Sequence, residues 1–343
     1  MSNPFSLSFG KEPKSIISRD LICDEIIDNF NDKNPGYQVC MITGVRGSGK
    51  TVMLTSIAAR LKQERDWIVI NLSPDCNLIH MMAAELCNRN DLMELFRDAK
   101  INLSLFGLGL EIDGVPPITD EVIALRRMLE MLTRNGKKVL VAIDEVVPAK
   151  NIREFIGQFQ IFMRENYNIF MLMTGLYENI YELQNEATLT FLYRAPKVEL
   201  PPLSTGLIAK SYREIFGLNH DEAVEMAEFS KGYPYAYQLL GYLCWTKNAS
   251  WRDVVEEYDT YLEDYVYDKI WSECSAQDKD VLRAISNAPT DKVENIRNVI
   301  GMSSNVFTVY RKRLIKKGLI RSTGHGRLEL VLPRFDVFVN NNS

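Results

Sequence analysis

Eight consecutive residues, Gly44, Val45, Arg46, Gly47, Ser48, Gly49, Lys50 and Thr51, satisfy the pattern GxxxxGK[ST]. Glycines at this spacing let a backbone curl until its N–H groups converge on phosphate oxygens. Lys50 is placed to reach the β- and γ-phosphates, and the Thr51 hydroxyl to ligate Mg²⁺. The chemistry expected is therefore ATP–Mg²⁺ binding through a P-loop. A second group lies 94 positions beyond Lys50, where Lys138-Val-Leu-Val-Ala-Ile-Asp-Glu145 ends an apolar run on two carboxylates. Asp144 is expected to hold the Mg²⁺ shell and Glu145 to orient or deprotonate the attacking water, which points to hydrolysis. Taken alone, an acid at a strand end is also a common loop cap. Thr174, closing Ile169-Phe-Met-Leu-Met-Thr, has a hydroxyl suited to the γ-phosphate or the lytic water, or to a backbone bond.

The C-terminal seventy or so residues carry a different chemistry. From Ser303 to Arg334 there are eight basic residues and one acid, Glu329. Ala276 to Ser286, Asn295 to Ile300 and Ser303 to Lys317 read as three helices, with Ser303 as a capping residue for the third. Lys317 to Leu332 then reads as strand, glycine-rich turn, strand. This resembles a winged helix-turn-helix with its wing tip at Thr323 to Arg327. Such a module is expected to meet duplex DNA through Ser304, Asn305, Arg311, Arg313, Lys317 and Arg327. The alternative is a module that packs on the rest of the chain or binds a protein.

These groups need elements to position them. Asp20 to Phe30 has helical apolar spacing, and Tyr37 to Thr43 is a short buried-type strand running into the glycine loop. A helix from about Lys50 to Gln63 follows, then a strand from Asp66 to Leu72 and helical sequence through Arg97. Ile101 to Ile112 suggests an inserted hairpin. Next come a helix over Thr119 to Arg134, a strand over Lys137 to Asp144, a helix over Asn151 to Glu165 and a strand over Asn168 to Thr174. Ala195 to Leu200 suggests an edge strand. Strands alternating with helices imply an α/β fold with a parallel sheet wrapped by helices. From about Ser204 to Trp271 the pattern is helical only. Domains are expected at 1–203, 204–272 and 273–343, with residues 1–14 as an arm over the surface.

The net charge of −5 hides an asymmetry: from Glu273 onward twelve Lys or Arg face seven Asp or Glu, about +5, leaving about −10 for the rest. No apolar stretch is long enough to span a bilayer, and the N-terminus lacks a signal-peptide pattern. The six cysteines are scattered without a CxxC pair, which suits reduced thiols in a cytoplasmic protein. His80, His220 and His325 are isolated and read as structural. The series Tyr258, Tyr261, Tyr265, Tyr267 and Trp271 reads as a packed linking helix.

The P-loop strand, the Asp-Glu strand, a strand ending in a polar residue and an all-helical region together resemble the AAA+ ATPases. Met-Thr-Gly175 and Lys231-Gly-Tyr-Pro-Tyr-Ala-Tyr-Gln238 look more like the prokaryotic AAA-like and STAND branch, neighbours of the origin-recognition ATPases. The resemblance implies a P-loop NTPase sheet, an all-helical lid and a C-terminal winged helix. It implies that Thr174 is the sensor 1 residue and that Pro234 lies in a lid contact with the nucleotide. Arg194 sits where family members often carry an arginine acting on a neighbouring subunit's γ-phosphate, implying a homo-oligomer; a surface or fold-stabilising arginine is the other reading. A clear sensor 2 arginine is absent, with Lys231 a weaker substitute, and Arg19 falls at the adenine-side segment. Two functions follow: a DNA-associated ATPase switch, or a STAND-like regulator that reads a protein.

Overall fold

Uncharged runs such as Val39-Cys-Met-Ile-Thr43 are too short for helices and too uniformly apolar for a sheet with one wet face. They form the interior strands of a parallel sheet. A computed structural model describes residues 2–8, 14–98 and 120–342; the hairpin expected over Ile101 to Ile112 lies outside them. The chain forms two compact units, one of Arg19–Thr43 and Met53–Glu199 and the other of Met1–Ser18, Gly44–Val52 and Leu200–Ser343.

In chain order the elements to the end of the sheet are α1 (Asp20–Asn31), β1 (Val39–Thr43), α2 (Lys50–Lys62), β2 (Trp67–Leu72), α3 (Leu78–Cys87), α4 (Asn90–Asp98), α5 (Glu121–Arg134), β3 (Lys138–Ile143), α6 (Lys150–Arg164), β4 (Ile169–Gly175), α7 (Tyr177–Gln184) and β5 (Lys197–Glu199). The five strands are parallel in the order β2-β3-β4-β1-β5. β1 and β4 are buried along their whole length. The edge strand expected at Ala195 to Leu200 is present as the three residues of β5. Helix α7 was not anticipated.

Helices cover both faces of this sheet. Leu125, Met128 and Leu132 of α5 join Phe155 and Phe159 of α6 in one core with Val141 and Met171. Across the sheet Phe30 of α1 meets Trp67 and Phe170, with ring centroids 6.3 and 5.1 Å away. Each such aromatic removes a large apolar area from water, about 25 cal/mol per Å².

The second unit is helical until its end: α8 (Thr205–Phe216), α9 (His220–Phe229), α10 (Pro234–Lys247), α11 (Val255–Leu262), α12 (Asp268–Ser272), α13 (Ala276–Asn287), α14 (Val293–Ile300), α15 (Ser304–Lys316), β6 (Ile320–Gly324), β7 (Arg327–Leu330) and α16 (Phe335–Asn341). β6 and β7 form an antiparallel hairpin. The N-terminal arm is not confined to the surface, because it inserts Phe5 into the helical core at 2% exposure. Gly241 makes the room: a Cβ there would stand 2.3 Å from the Phe5 ring. In the tyrosine series Tyr258 and Tyr267 are fully buried, as a packed helix requires, while Tyr265 is 67% exposed.

Candidate functional site

In the sheet unit, three predicted residues meet at the C-terminal edge of neighbouring strands. β4 lies between β1 and β3. Thr174 is level with Ile42 of β1, and Met173 with Ile143 of β3, so Asp144 emerges beside Thr174. The fully buried Thr174 hydroxyl donates to Asp144 Oδ1. The Glu145 N–H points at both Asp144 Oδ1 and Thr174 Oγ1, each at 3.1 Å. Glu145 itself has φ 52°, a left-handed conformation that costs a residue with a side chain roughly 1–2 kcal/mol. The Val146 N–H then closes back on Thr174 O at 2.8 Å. The carboxyl of Asp144 is thereby fixed, and Glu145 is held by its backbone at the edge where ligands of open α/β sheets bind.

The P-loop has its own supports within the other unit. Gly47 and Gly49 have φ 71° and 90°, which their lack of a Cβ permits at little cost. Gly44 leaves space for Ser48, whose Oγ would stand 2.5 Å from a Cβ at that position. Lys50 is only 8% exposed, and its ammonium donates to Gly44 O and Val45 O at 3.0 and 2.9 Å. Lys50 also begins α2, so the positive end of that helix lies at the loop. These residues fit a triphosphate: glycines in the conformations a phosphate cradle needs, a lysine held within the curl, and a helix N-terminus.

Other partners of the loop were not legible in the sequence. Tyr233, 5% exposed, donates its hydroxyl to Arg46 O. The Tyr235 N–H donates to Gly47 O at 3.3 Å. Burial pushes the Tyr233 phenol well up and that of Tyr235 to about 12, so both stay neutral. Pro234, the residue expected to touch nucleotide, is the first residue of α10 between these two tyrosines. The Arg46 guanidinium reaches Glu273 at 2.8 Å, and a Cβ on Gly318 would stand 2.9 Å from Val45 Cγ1. The loop therefore touches the start of α10, the residue after α12 and the turn after α15. Lys231 does not face the loop; its ammonium donates to Leu330 O at 3.2 Å, and burial pulls its pKa down. Arg194 ends a short 3-10 helix, Thr190–Arg194, and is exposed.

The terminal segment revises the expected basic surface. Arg313 turns inward, donating from Nε to Asp278 Oδ1 at 2.9 Å and from a second nitrogen to Ser275 Oγ at 2.8 Å. Asp278 is 1% exposed and completes the capping box of α13 with Ser275. Lys317 lies 3.7 Å from the same carboxyl and donates to Glu273 O. The Arg313 side chain keeps 39% of its surface exposed and that of Lys317 13%. Arg327 pairs with Asp291 at 2.7 Å, and Arg311 is half-buried with its Nε enclosed. Ser303 is the N-cap of α15 but makes no capping bond with its side chain. Ser304 and Asn305 are exposed as expected, together with Thr308, Val309, Lys312 and Lys316. At 100° per residue Asn305, Val309, Lys312 and Lys316 share the outward stripe of α15. Consecutive basic residues hide which of them face out until the helix's phase is known.

Similarity to known proteins agrees with this architecture. A Walker-type ATPase of Pyrococcus abyssi superposes with a TM-score of 0.67 at 16% identity, covering 98% of this chain and 99% of that one. The ORC2 protein of Aeropyrum pernix, in its ADPNP–ADP complexes, gives 0.62 at 12% identity, covering 97% and 96%. The chain shares the fold of these two proteins. A family model described as a domain of unknown function, DUF8462, matches residues 264–339. No curated protein matches the sequence. Among the described residues, no helix is long and apolar enough to cross a membrane.

Proposed function

We propose that the chain is an ATP-hydrolysing switch whose nucleotide state is passed to its C-terminal segment, and that this segment engages duplex DNA. The carrying observation is the set of contacts on the P-loop: Arg46 on Glu273, Val45 against Gly318 and the Arg46 carbonyl on Tyr233. A loop that reshapes around phosphates cannot do so without altering these contacts, which is the physical requirement for coupling.

In this reading Lys50 binds the β- and γ-phosphates and the backbone of Gly44 to Gly49 cradles them. Thr51 and Asp144 hold Mg²⁺, which neutralises charge developing on the phosphates. Glu145 aligns and deprotonates the lytic water, and Thr174 fixes Asp144 and the Glu145 backbone. Arg194, exposed on the sheet unit, acts on the nucleotide of a second copy. The functional domains are 1–203, 204–272 and 273–343, the last a winged helix whose α15 presents Asn305, Lys312 and Lys316 to DNA. The protein is cytoplasmic.

A second reading, a STAND-like regulator that docks a protein, is favoured by one observation. Val299, Val306 and Val309 are 50%, 47% and 62% exposed on α14 and α15. Measuring ATP turnover with and without random duplex, beside an anisotropy titration at low and high salt, separates the two. Salt-sensitive duplex binding that changes the turnover rate supports the DNA switch. No binding at low salt, with turnover indifferent to duplex, overturns it in favour of the protein-docking regulator.

A further inference from the structure

A phosphate loop works only if its N–H groups face inward, so whatever holds its carbonyls outward sets its affinity. In a trans peptide the C=O and N–H point in opposite directions. Anchoring the Arg46 carbonyl on Tyr233 therefore turns the Gly47 N–H away from that side chain. The anchor is the Tyr233 hydroxyl. It is buried, so while the loop is in place that carbonyl is its acceptor, and a buried hydroxyl without one is costly.

The tyrosine is itself held rigidly. Lys231 and Gly232 take successive left-handed conformations, φ 49° and 71°. A Cβ on Gly232 would stand 2.5 Å from Leu203 O, and Leu203 N–H closes the turn on Gly232 O at 2.8 Å. Pro234 then fixes the first turn of α10. The fit to the loop is close, because a Cβ on Gly47 would stand 2.3 Å from Tyr233 Oη. Gly47 is thus constrained twice, by its positive φ and by the ring beneath it.

We propose that Tyr233 is a positioning residue for the phosphate loop, holding the Arg46–Gly47 peptide so that its N–H faces bound nucleotide. The inference rests on the loop being an ATP site. It extends that reading by assigning part of the nucleotide affinity to a side chain of the lid that touches no phosphate.

The test is Tyr233→Phe, which keeps the ring and removes only the hydroxyl. Fluorescence titration with a methylanthraniloyl-labelled ATP is expected to show affinity weakened about tenfold, equivalent to about 1.4 kcal/mol. Amide hydrogen exchange at residues 44–49 in nucleotide-free protein is expected to quicken, whether or not the variant melts lower. Unchanged exchange with affinity within twofold of wild type overturns the proposal. Lys50→Ala run in parallel separates the two ideas. If wild type and Lys50→Ala are equally unable to bind the probe, the ATP site is wrong, while the exchange measurement still decides whether Tyr233 positions the loop.

Discussion

Thr174 donates its hydroxyl to Asp144 and, through the same oxygen, accepts the Glu145 N–H at 3.1 Å. One buried hydroxyl therefore orients the two residues assigned to Mg²⁺ and to the lytic water. Neither bond survives in Thr174→Val, which leaves the volume of the site nearly unchanged. Losing a buried hydrogen bond of this kind costs roughly 1–2 kcal/mol. Applied to the transition state, that is about five- to thirtyfold in turnover, with the KM for ATP little changed. Thr174→Ser should recover most of the rate. Steady-state kinetics on both variants check this, and a valine variant at full rate would exclude Thr174 from catalysis.

The φ of 52° at Glu145 separates its chemistry from its conformation. Glu145→Gln keeps the side-chain shape and the strain, so it should bind ATP while losing turnover. Glu145→Gly also loses turnover, but it relieves a left-handed residue. Its loss of a side chain is therefore expected to leave stability level or slightly raised, by up to about 1 kcal/mol. Calorimetry on the two variants decides; a clear drop for glycine would show that the glutamate side chain, not its backbone, sustains the turn.

How much of this was legible follows from the range of each signal. The P-loop, Asp144 and Thr174 could be read because each is fixed by a short run: apolar residues make the strand, and the polar residue at its end falls at the sheet edge. Tyr233 could not, since its bond to Arg46 spans 187 positions and nothing local distinguishes it from its neighbouring tyrosines. The ion pairs of Arg313 and Lys317 were hidden for a related reason. Their direction is set by Asp278, buried 35 positions upstream of Arg313, and a basic run does not reveal which members face a hidden carboxyl. Phe5 was misjudged likewise, because the glycine that admits it is Gly241.

The cysteines give a prediction about the folded state as a whole. None of the six forms a disulfide, and Cys76 alone is not buried. Burial pushes the thiols of Cys40, Cys87 and Cys244 up to about 12 and raises that of Cys23. A raised thiol pKa means less thiolate at a given pH, and thiolate is the reacting form. At pH 8 a disulfide reagent should therefore modify one thiol quickly, Cys76, with the rest released only on unfolding. Mass spectrometry of tryptic peptides identifies the site; rapid reaction at Cys40 or Cys87 would contradict the packing around β1 and α3.

The two classes of basic residue in the terminal segment should separate cleanly. Asp278 is buried and serves both Arg313 and the α13 cap. Asp278→Ala leaves Arg313 without its carboxylate and removes half of a capping box, so a loss of roughly 1–3 kcal/mol is expected. Any fall in DNA affinity then follows from unfolding. Lys312 lies on the outward stripe and is exposed, so Lys312→Glu should leave stability within about 0.5 kcal/mol. If it contacts a phosphate, its loss weakens binding similarly on every sequence and lowers the salt slope by about one. Lys316→Glu is expected to lower the salt slope likewise. Anisotropy titrations across a salt series, beside thermal melts, read both quantities, and charge reversal at both lysines without any change in slope would remove α15 from the DNA interface.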